Sequence, residues 1–443
     1  MYLPDYVSSC IQALEEAGFA AYAVGGCVRD ACLGLTPHDY DLCTAALPEQ
    51  TEAVFAGEKM VLAGKKHGTV GVVTDGGVVE ITTFRTEGDY LDNRHPEWVE
   101  FVSEIEKDLA RRDFTVNAMA YSPSRGFADP FGGREDLANK VLRAVGDPAA
   151  RFQEDSLRIL RGVRFAVKYS LKPEEITESA MISLAPLMDN LARERVFDEL
   201  CRLLPLVTAD DLLRFAPVLG AVILELQPTF GFDQKCRHHA YDLFTHIARV
   251  TENVPADLSL RWAALLHDVG KPGCFTLDEQ GQGHFYGHAQ VSAELADSIL
   301  RRLKAPTALR ERVVFLIGKH MTPLEADRKL LRRRLVQYGA EATEQLLALQ
   351  IADTDATGVS SGGERFAGVG EILAQLQAED ACLTVRDLAI DGHDLMALGI
   401  TGRQIGITQK RLLELVLEEV IRDPAVHFVG QLLPLLPQLH PYE

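Results

Sequence analysis

No stretch of this chain approaches the ~20 uninterrupted apolar residues that a membrane-crossing helix needs, so no such span is expected. Met1 to Cys10 lack a basic stretch followed by an apolar core, and no secretory signal is expected either. Cysteine is scattered: eight residues, at 10, 27, 32, 43, 201, 236, 274 and 382, form no Cys-x-x-Cys pair. That pattern points to reduced thiols and a cytoplasmic location. Internal repeats and low-complexity segments are absent. Positive charge is in short supply: 45 Lys and Arg against 64 Asp and Glu give a net charge of −19. Averaged over the chain, this argues against an RNA partner, but the local distribution is what a polyanion meets. Basic residues gather at Arg151, Arg158, Arg161, Arg164 and Lys168, at Arg301, Arg302 and Lys304, and at Arg328, Lys329, Arg332, Arg333 and Arg334. Solvated helix faces are the plain alternative for the last two groups.

What is present is an ordinary globular composition, 47% hydrophobic and 25% charged. The 443 residues suffice for two to four domains at ~100–200 residues each. The most informative run is Ala21 to Leu42. An apolar strand-like stretch enters Gly25-Gly26, a short helix follows from near Cys27, and Asp39-Tyr40-Asp41 opens a second strand-like stretch. Residues i and i+2 of a strand share a face, so the two carboxylates converge, which is unfavourable without a cation between them. Magnesium suits that place because it takes hard oxygen ligands and leaves room for phosphates. Gly25 and Gly26 let backbone N–H groups approach an anion at the positive end of the helix, and Arg29 can reach the same anion. The pattern Gly-Gly-x-Val-Arg-Asp-x-x-Leu-Gly-x-x-x-x-Asp-x-Asp-Leu resembles the signature of polymerase-beta-like nucleotidyltransferases, in the branch of bacterial tRNA nucleotidyltransferases (CCA-adding enzymes) and poly(A) polymerases.

Further blocks continue that resemblance. It implies that a third carboxylate faces the Asp pair, and Glu80, a charged residue inside the apolar run 78–83, is the residue at hand; a salt bridge to Arg85 or Arg112 is the other reading. Arg111-Arg112-Asp113-Phe114-Thr115-Val116-Asn117 offers bidentate phosphate donors, a ribose-hydroxyl acceptor and an amide. It looks like the family's second motif, which implies nucleotide contacts from Arg112, Asp113 and Asn117. In Glu154-Asp155-Ser156-Leu157-Arg158, Asp155 and Arg158 stand three apart, neighbours on one helix face. Cytosine and adenine both present an amino donor beside a ring acceptor, whereas guanine and uracil present the reverse order. An Asp acceptor beside an Arg donor would accept C and A and refuse G and U. An intrahelical ion pair is the bland alternative. Arg161 would reach triphosphate; Arg164, about half a turn from Asp155 at 3.6 residues per turn, faces nucleotide, RNA or solvent. The run from Leu191 to Leu200, with Glu194 and Arg195, reads as a structural element of the same family.

A second signal is separate. His267-Asp268 lies on an apolar helix, where such a pair needs metal or strong hydrogen bonds. His246 and either Asp353 or Asp355 would complete a His, His-Asp, Asp set suited to Mn, Fe, Ni, Co or Zn. His284, His288 and His320 would touch phosphate or a second metal. This part resembles the HD superfamily, which implies either a metal-dependent phosphohydrolase or a vestigial, RNA-binding scaffold.

The expected fold is α+β. A polymerase-beta-like head with a small mixed sheet spans residues 1–145, with a hairpin turning at Asp75-Gly76-Gly77. An all-α neck follows (146–225), then an HD domain (226–360) and a helical, RNA-binding tail (361–443). In the tail, 387–406 resembles an element near the tRNA body, though plain helix packing explains it equally. The resemblance implies template-independent addition of C and A to tRNA 3′ ends from CTP and ATP, with Asp39, Asp41 and Glu80 as the catalytic acids and two magnesium ions. No covalent intermediate is needed. Poly(A) synthesis, or addition of CC or A alone, would use the same residues and differ in loops such as Gly88–Trp98. A phosphohydrolase whose head merely binds nucleotide or RNA is the reading from another class.

Overall fold

The computed structural model describes residues 1–87, 99–237, 239–378, 385, 388, 390–397 and 399–417. The Gly88–Trp98 loop lies outside them, as does Cys382. The chain forms two compact units: Met1–Gln227 with Ile299–Ala305, and Pro228–Ser298 with Pro306–Glu443.

The first unit opens with α1 (Asp5–Glu16), whose Val7, Cys10, Ile11 and Leu14 recur at helical spacing and bury one face. Strand β1 (Ala21–Val24) is buried along its whole length, as a central strand should be. It leads into α2 (Gly26–Cys32) and β2 (Asp41–Thr44). After α3 (Pro48–Val54) come β3 (Met60–Val61), β4 (Thr69–Thr74) and β5 (Gly77–Thr83). A separate hairpin pairs β6 (Arg85–Glu87) with β7 (Val99–Phe101). Helix α4 (Ile105–Ala110) and a 3-10 turn at Thr115–Asn117 precede β8 (Ala120–Ser122) and β9 (Gly126–Ala128), and α5 (Gly133–Ala138) follows. Seven strands make one mixed sheet in the order β3-β4-β5-β2-β1-β8-β9. The expected hairpin joins β4 to β5, and β5 then runs parallel to β2, setting Glu80 opposite Asp41.

Strand β10 (Val141–Leu142) pairs with β11 (Lys172–Pro173), framing the first neck helices. These are α6 (Pro148–Glu154), α7 (Leu157–Lys168), α8 (Glu175–Leu184), α9 (Arg193–Leu203), α10 (Ala209–Arg214) and α11 (Ala216–Val222). Asp147 caps α6, accepting from the N–H groups of Ala149 and Ala150, with Pro148 in the first turn. One expectation is corrected here. Asp155 and Arg158 do not share a continuous helix, because the backbone leaves helical geometry at Asp155 (φ −139°, ψ 101°). Its carboxylate accepts from the Leu157 N–H (3.0 Å), a local bond that competes with the helical ladder.

Two polar contacts hold α7 in place. On one side Arg164 donates from Nε to Glu199 of α9 at 2.6 Å, both side chains buried. The expectation that Arg164 faces nucleotide, RNA or solvent is therefore corrected: its guanidinium is spent inside the neck. On the other side Arg161 meets buried Asp113 at 2.7 Å. Asp113 also accepts from Asn117 (3.0 Å), which in turn accepts from Arg29, and Arg29 donates to the Tyr169 hydroxyl and lies 4.3 Å from its ring. A chain of polar contacts thus runs from α2 through the 113–117 segment to the middle and the C-terminal end of α7. Burial alone would raise the Asp113 pKa, yet Arg161, Asn117 and Arg158 more than offset it and bring it down to about 2.

The second unit is helical: α12 (Leu243–Asn253), α13 (Leu258–Leu266), a small hairpin of β12 (Thr276–Leu277) and β13 (Gly283–His284), then α14 (His288–Arg302), α15 (Thr307–Lys319), α16 (Arg328–Tyr338) and α17 (Ala340–Asp355). Beyond it lie α18 (Gly362–Arg365), α19 (Val369–Ala378), α20 (Gly392–Ala397) and α21 (Arg403–Leu417). In the tail, Leu388, Ile390, Leu395 and Ile400 pack with Leu412, Leu413 and Leu415, so hydrophobic packing accounts for their spacing. The basic group around residue 302 is also committed: Arg302 pairs with Glu225 and Lys304 with Glu194. Among the described residues no helix is long and apolar enough to cross a membrane.

Glu199→Ala should cost roughly 3 kcal/mol, since it leaves the buried Arg164 charge without its partner. Thermal and urea unfolding would show it, with Glu199→Asp recovering part. Asp113→Asn tests the other contact. A depressed folded pKa adds stability that is present above the unfolded value and lost as pH falls through the folded one. Here the gap from 3.8 to about 2 corresponds to about 2 kcal/mol. The wild type should therefore exceed Asp113→Asn by about that margin at neutral pH, with the gap closing between about pH 4 and pH 2 in unfolding measured across that range.

Candidate active site

Asp39 lies on the loop just before β2, Asp41 is the first residue of β2, and Glu80 sits on the neighbouring strand in register with Asp41. Registered residues of paired strands point to the same face of a sheet, which joins Asp41 and Glu80; Asp39 lies ahead of the strand rather than on it as expected, yet near enough to act on the Asp41 charge. Glu80 is exposed, not buried as its apolar flanks imply, because alternation along β5 turns Val79 and Ile81 inward and Glu80 outward. Loss of solvent around the Asp41 carboxyl raises its pKa; Glu80 and Asp39 add to this, and Arg112 opposes it. Converging hard oxygens whose charges repel are the donor set a divalent cation needs. The arginines offered as salt-bridge partners for Glu80 have other contacts: Arg112 reaches Asp108 (3.3 Å), and Arg85 donates to the His67 carbonyl.

The glycine turn stands beside these acids. Gly25 has φ 75°, and a Cβ on it would come 2.8 Å from Arg112 Nη1. Glycine is required there for its backbone angle, and the absent Cβ also leaves room for the Arg112 guanidinium. The Gly25 N–H is already donated to the Met119 carbonyl (3.0 Å), so it is not an anion donor. An anion at this turn would instead meet the N–H groups of the first turn of α2, starting at Gly26. Arg29, expected to reach the anion, is buried and engaged by Asn117, Asp30 and Tyr169; it braces Asn117. Asp108 escaped the sequence reading. It is fully buried and accepts from Arg111 (2.8 Å) and Arg112, which hold its carboxyl below the usual range although burial acts to raise it. Its signal was present: Asp108 stands three and four residues before the arginine pair, one turn of helix.

On the neck, Arg158 is buried and donates to Glu154 (2.7 Å) and to the Arg111 carbonyl (3.1 Å). Asp155 instead meets Arg195 of α9 at 2.9 Å. The two residues expected to read a base are thus not paired with each other. Each is held from behind by a different partner, and Arg161 bonds Asp113 rather than standing unengaged.

In the second unit, His246 Nε2 lies 3.0 Å from Asp353 and 3.4 Å from Asp268, and His267 Nε2 lies 3.2 Å from Asp268. Asp353 is the acid that faces the imidazoles; Asp355 accepts from the Gly362 N–H (2.7 Å) and does structural work. Asp268 also faces His288 (3.4 Å), whose Nε2 is 3.4 Å from that of His320. Ligand atoms of His246, His267 and Asp268, and those of Asp268, His288 and His320, each fall within 4.8 Å of one another. All four imidazoles have Nδ1 on a main-chain carbonyl: Ala356, Ala264, Phe285 and Ile317 respectively. A carbonyl only accepts, so Nδ1 carries the proton and Nε2 is presented to the cluster, the arrangement seen in metal-binding histidines. Burial lowers the His267 pKa, but Asp268 and Asp353 outweigh it and push it up to about 10, a proton that a cation would displace. His284 stands apart, bonded to Asp278 and stacked on Tyr286. His239, which sequence reasoning passed over, sets its ring against His246 with centroids 4.9 Å apart. A cavity of about 590 Å³ opens on this cluster, with Lys271, Tyr286 and Arg365 among its walls.

Comparison with known proteins bears on both units. Residues 21–143 match the poly A polymerase head domain, 170–211 the probable RNA and SrmB-binding site of polymerase A, and 238–358 the HD domain. The crystal structure of Bacillus stearothermophilus CCA-adding enzyme in complex with CTP superposes with a TM-score of 0.73 at 27% identity, covering 99% of each chain. The CCA-adding enzyme of Streptococcus thermophilus is 48% identical over 206 residues, 46% of this chain and 51% of that protein. That of Streptococcus mutans is 34% identical over 402 residues, 89% of this chain and 88% of its own length. With likeness of that extent and the fold and acid group described above, the chain belongs to the family of CCA-adding enzymes.

Proposed function

We propose that this protein adds C and A to the 3′ end of tRNA from CTP and ATP, without a nucleic-acid template. The observation that carries the reading is the registered group of Asp41 and Glu80 with Asp39, set beside the Gly25–Arg112 turn: acids for a metal next to donors for a triphosphate. Family membership supports it, as does the CTP complex of the Bacillus stearothermophilus relative. Asp39 and Asp41, with Glu80, would hold two magnesium ions, which lower the pKa of the RNA 3′-hydroxyl and stabilise the departing pyrophosphate when bound.

The remaining work belongs to the chain itself. Arg112 and the first turn of α2 bind the phosphates and neutralise their growing charge. Asp113 and Asn117, fixed by Arg161 and Arg29, orient the sugar side of the nucleotide. Asp155 accepts from the amino group of cytosine or adenine, and Arg158 donates to the adjacent ring nitrogen. Guanine and uracil would set a carbonyl against the Asp155 carboxylate and a ring N–H against the Arg158 guanidinium, acceptor on acceptor and donor on donor, and such a mismatch in a shielded site discriminates strongly. Poly(A) synthesis, or addition of CC or A alone, would draw on the same residues; the length and sequence of the product separate these from full CCA addition. Action on tRNA fits a cytoplasmic location.

A second activity is favoured by the four imidazoles presented around Asp268 and by the cavity above them. The second unit acts as a metal-dependent phosphohydrolase, with His246, His267, Asp268 and Asp353 as ligands for Mn, Fe, Ni, Co or Zn. A phosphohydrolase whose head only binds nucleotide or RNA is the rival for the whole protein.

Incubation with tRNA lacking its terminal CCA, magnesium and each labelled nucleoside triphosphate tests the main reading; incorporation of C and A alone, ending after three residues, is expected. Asp39→Ala should abolish incorporation while melting like the wild type, and retained transfer would remove the metal assignment. Asp155→Ala should let UTP or GTP compete, with the ratio of kcat/KM for UTP to CTP rising about tenfold or more; an unchanged ratio would remove the base-reading assignment.

A further inference from the structure

We propose that Arg195, on the first turn of α9, is a positioning residue for base selection: it fixes the rotation of the Asp155 carboxylate and so sets which nucleobase edge Asp155 accepts. The proposal rests on the assignment of Asp155 as the base-reading acceptor, and its test separates the two.

Asp155 lacks what holds most site residues in place. It lies between α6 and α7 with extended backbone angles, so no helical turn fixes its side chain. One carboxylate oxygen, Oδ1, takes the Leu157 N–H at 3.0 Å. That bond leaves the second oxygen, Oδ2, to be aimed. Arg195 Nη2 meets Oδ2 at 2.9 Å, from a helix that neither precedes nor follows Asp155 directly in the chain. Both side chains are largely shielded, 16% exposed for Asp155 and 26% for Arg195. The other terminal nitrogen, Nη1 of Arg195, is buried with no hydrogen-bond partner among the described residues. The contact to Asp155 is thus a single charge-assisted bond from one end of the fork.

The same helix carries Glu199, one turn further on, which holds Arg164 at the far end of α7. Arg195 and Glu199 therefore brace the selecting segment from one side at two points. Arg158 has a different support, Glu154 and the Arg111 carbonyl, so the acceptor and the donor of the proposed base-reading pair are positioned independently.

The consequence for selectivity follows from lone-pair direction. A carboxylate is an acceptor only, with several lone-pair sites. Held by Arg195 and Leu157, it offers a restricted set of them beside Arg158. Without Arg195 it can rotate and accept from the ring N–H of uracil or guanine, so refusal weakens more than binding does. Positioning by a partner behind the contacting residue is the ordinary means of keeping a recognition group within a fraction of an ångström.

The test compares wild type, Arg195→Gln, Arg195→Lys and Asp155→Ala for kcat and KM with all four nucleoside triphosphates on tRNA lacking its CCA end, alongside thermal melting. Arg195→Gln should raise the ratio of kcat/KM for UTP to CTP, and for GTP to ATP, by about tenfold or more. Arg195→Lys, which keeps the charge and loses the planar fork, should fall between it and the wild type. Should Arg195→Gln melt below the assay temperature, Arg195→Lys alone carries the test, with a ratio above the wild type expected. A uniform loss across the four nucleotides with the ratios unchanged would overturn the proposal and leave Arg195 a structural residue. Lost selectivity in Asp155→Ala with wild-type ratios in the Arg195 variants would overturn the proposal while sparing the base-reading assignment. Wild-type ratios in Asp155→Ala would overturn both.

Discussion

Asp113 is where the head and the neck of this protein are joined, and its ionised state is what makes the joint. The carboxylate is buried, takes the amide of Asn117 on one side and the guanidinium of Arg161 on the other, and is held charged by them. Through Asn117 it is connected to Arg29 and hence to the helix beginning at Gly26. The acids of the sheet, the glycine turn and the segment bearing Asp155 belong to different stretches of sequence. Their mutual placement rests on this contact together with the apolar packing of Phe114 against Phe152 and Phe165 and the bond from Arg158 to the Arg111 carbonyl. A buried carboxylate left without its arginine would be costly, which makes the joint all-or-none.

The chain is strongly acidic overall, yet the regions proposed to meet polyanions are organised so that each arginine is matched locally. Arg111 and Arg112 share Asp108, Arg158 has Glu154, Arg161 has Asp113 and Arg164 has Glu199. Such pairing fixes guanidinium groups in place before a nucleotide arrives. It also means that binding must compete with, or add to, contacts already made. Preorganised groups lose little side-chain entropy on binding, which suits a site that must judge a base by two hydrogen bonds.

Much of this was legible in the sequence because certain residues have few other uses. Asp41 beyond a double glycine and an Asp-Gly turn between β-branched runs each imply a local geometry that the strands keep, whereas Asp39 precedes its strand and His267-Asp268 fall just past the end of their apolar helix. What was hidden depended on partners distant in sequence. Asp155 is the exception: its break comes from a local bond to the Leu157 N–H, which competes with a pattern that otherwise reads as helical. Arg164 looked like part of a basic stripe until Glu199, 35 residues on, was found to face it. Asp353 and Asp355 are alike in sequence and differ only in what surrounds them: two imidazoles for one, a loop N–H for the other. Glu80 went the other way, exposed by strand alternation within a run that looked uniformly apolar.

The break at Asp155 has an evolutionary corollary. Because the residue is steered by a neighbour on a separate helix, accuracy becomes a trait that can drift without any change to the groups touching substrate. Substitutions on the rear face of the neck, silent by every criterion of active-site chemistry, would be the natural reservoir of error-prone or unusually faithful variants.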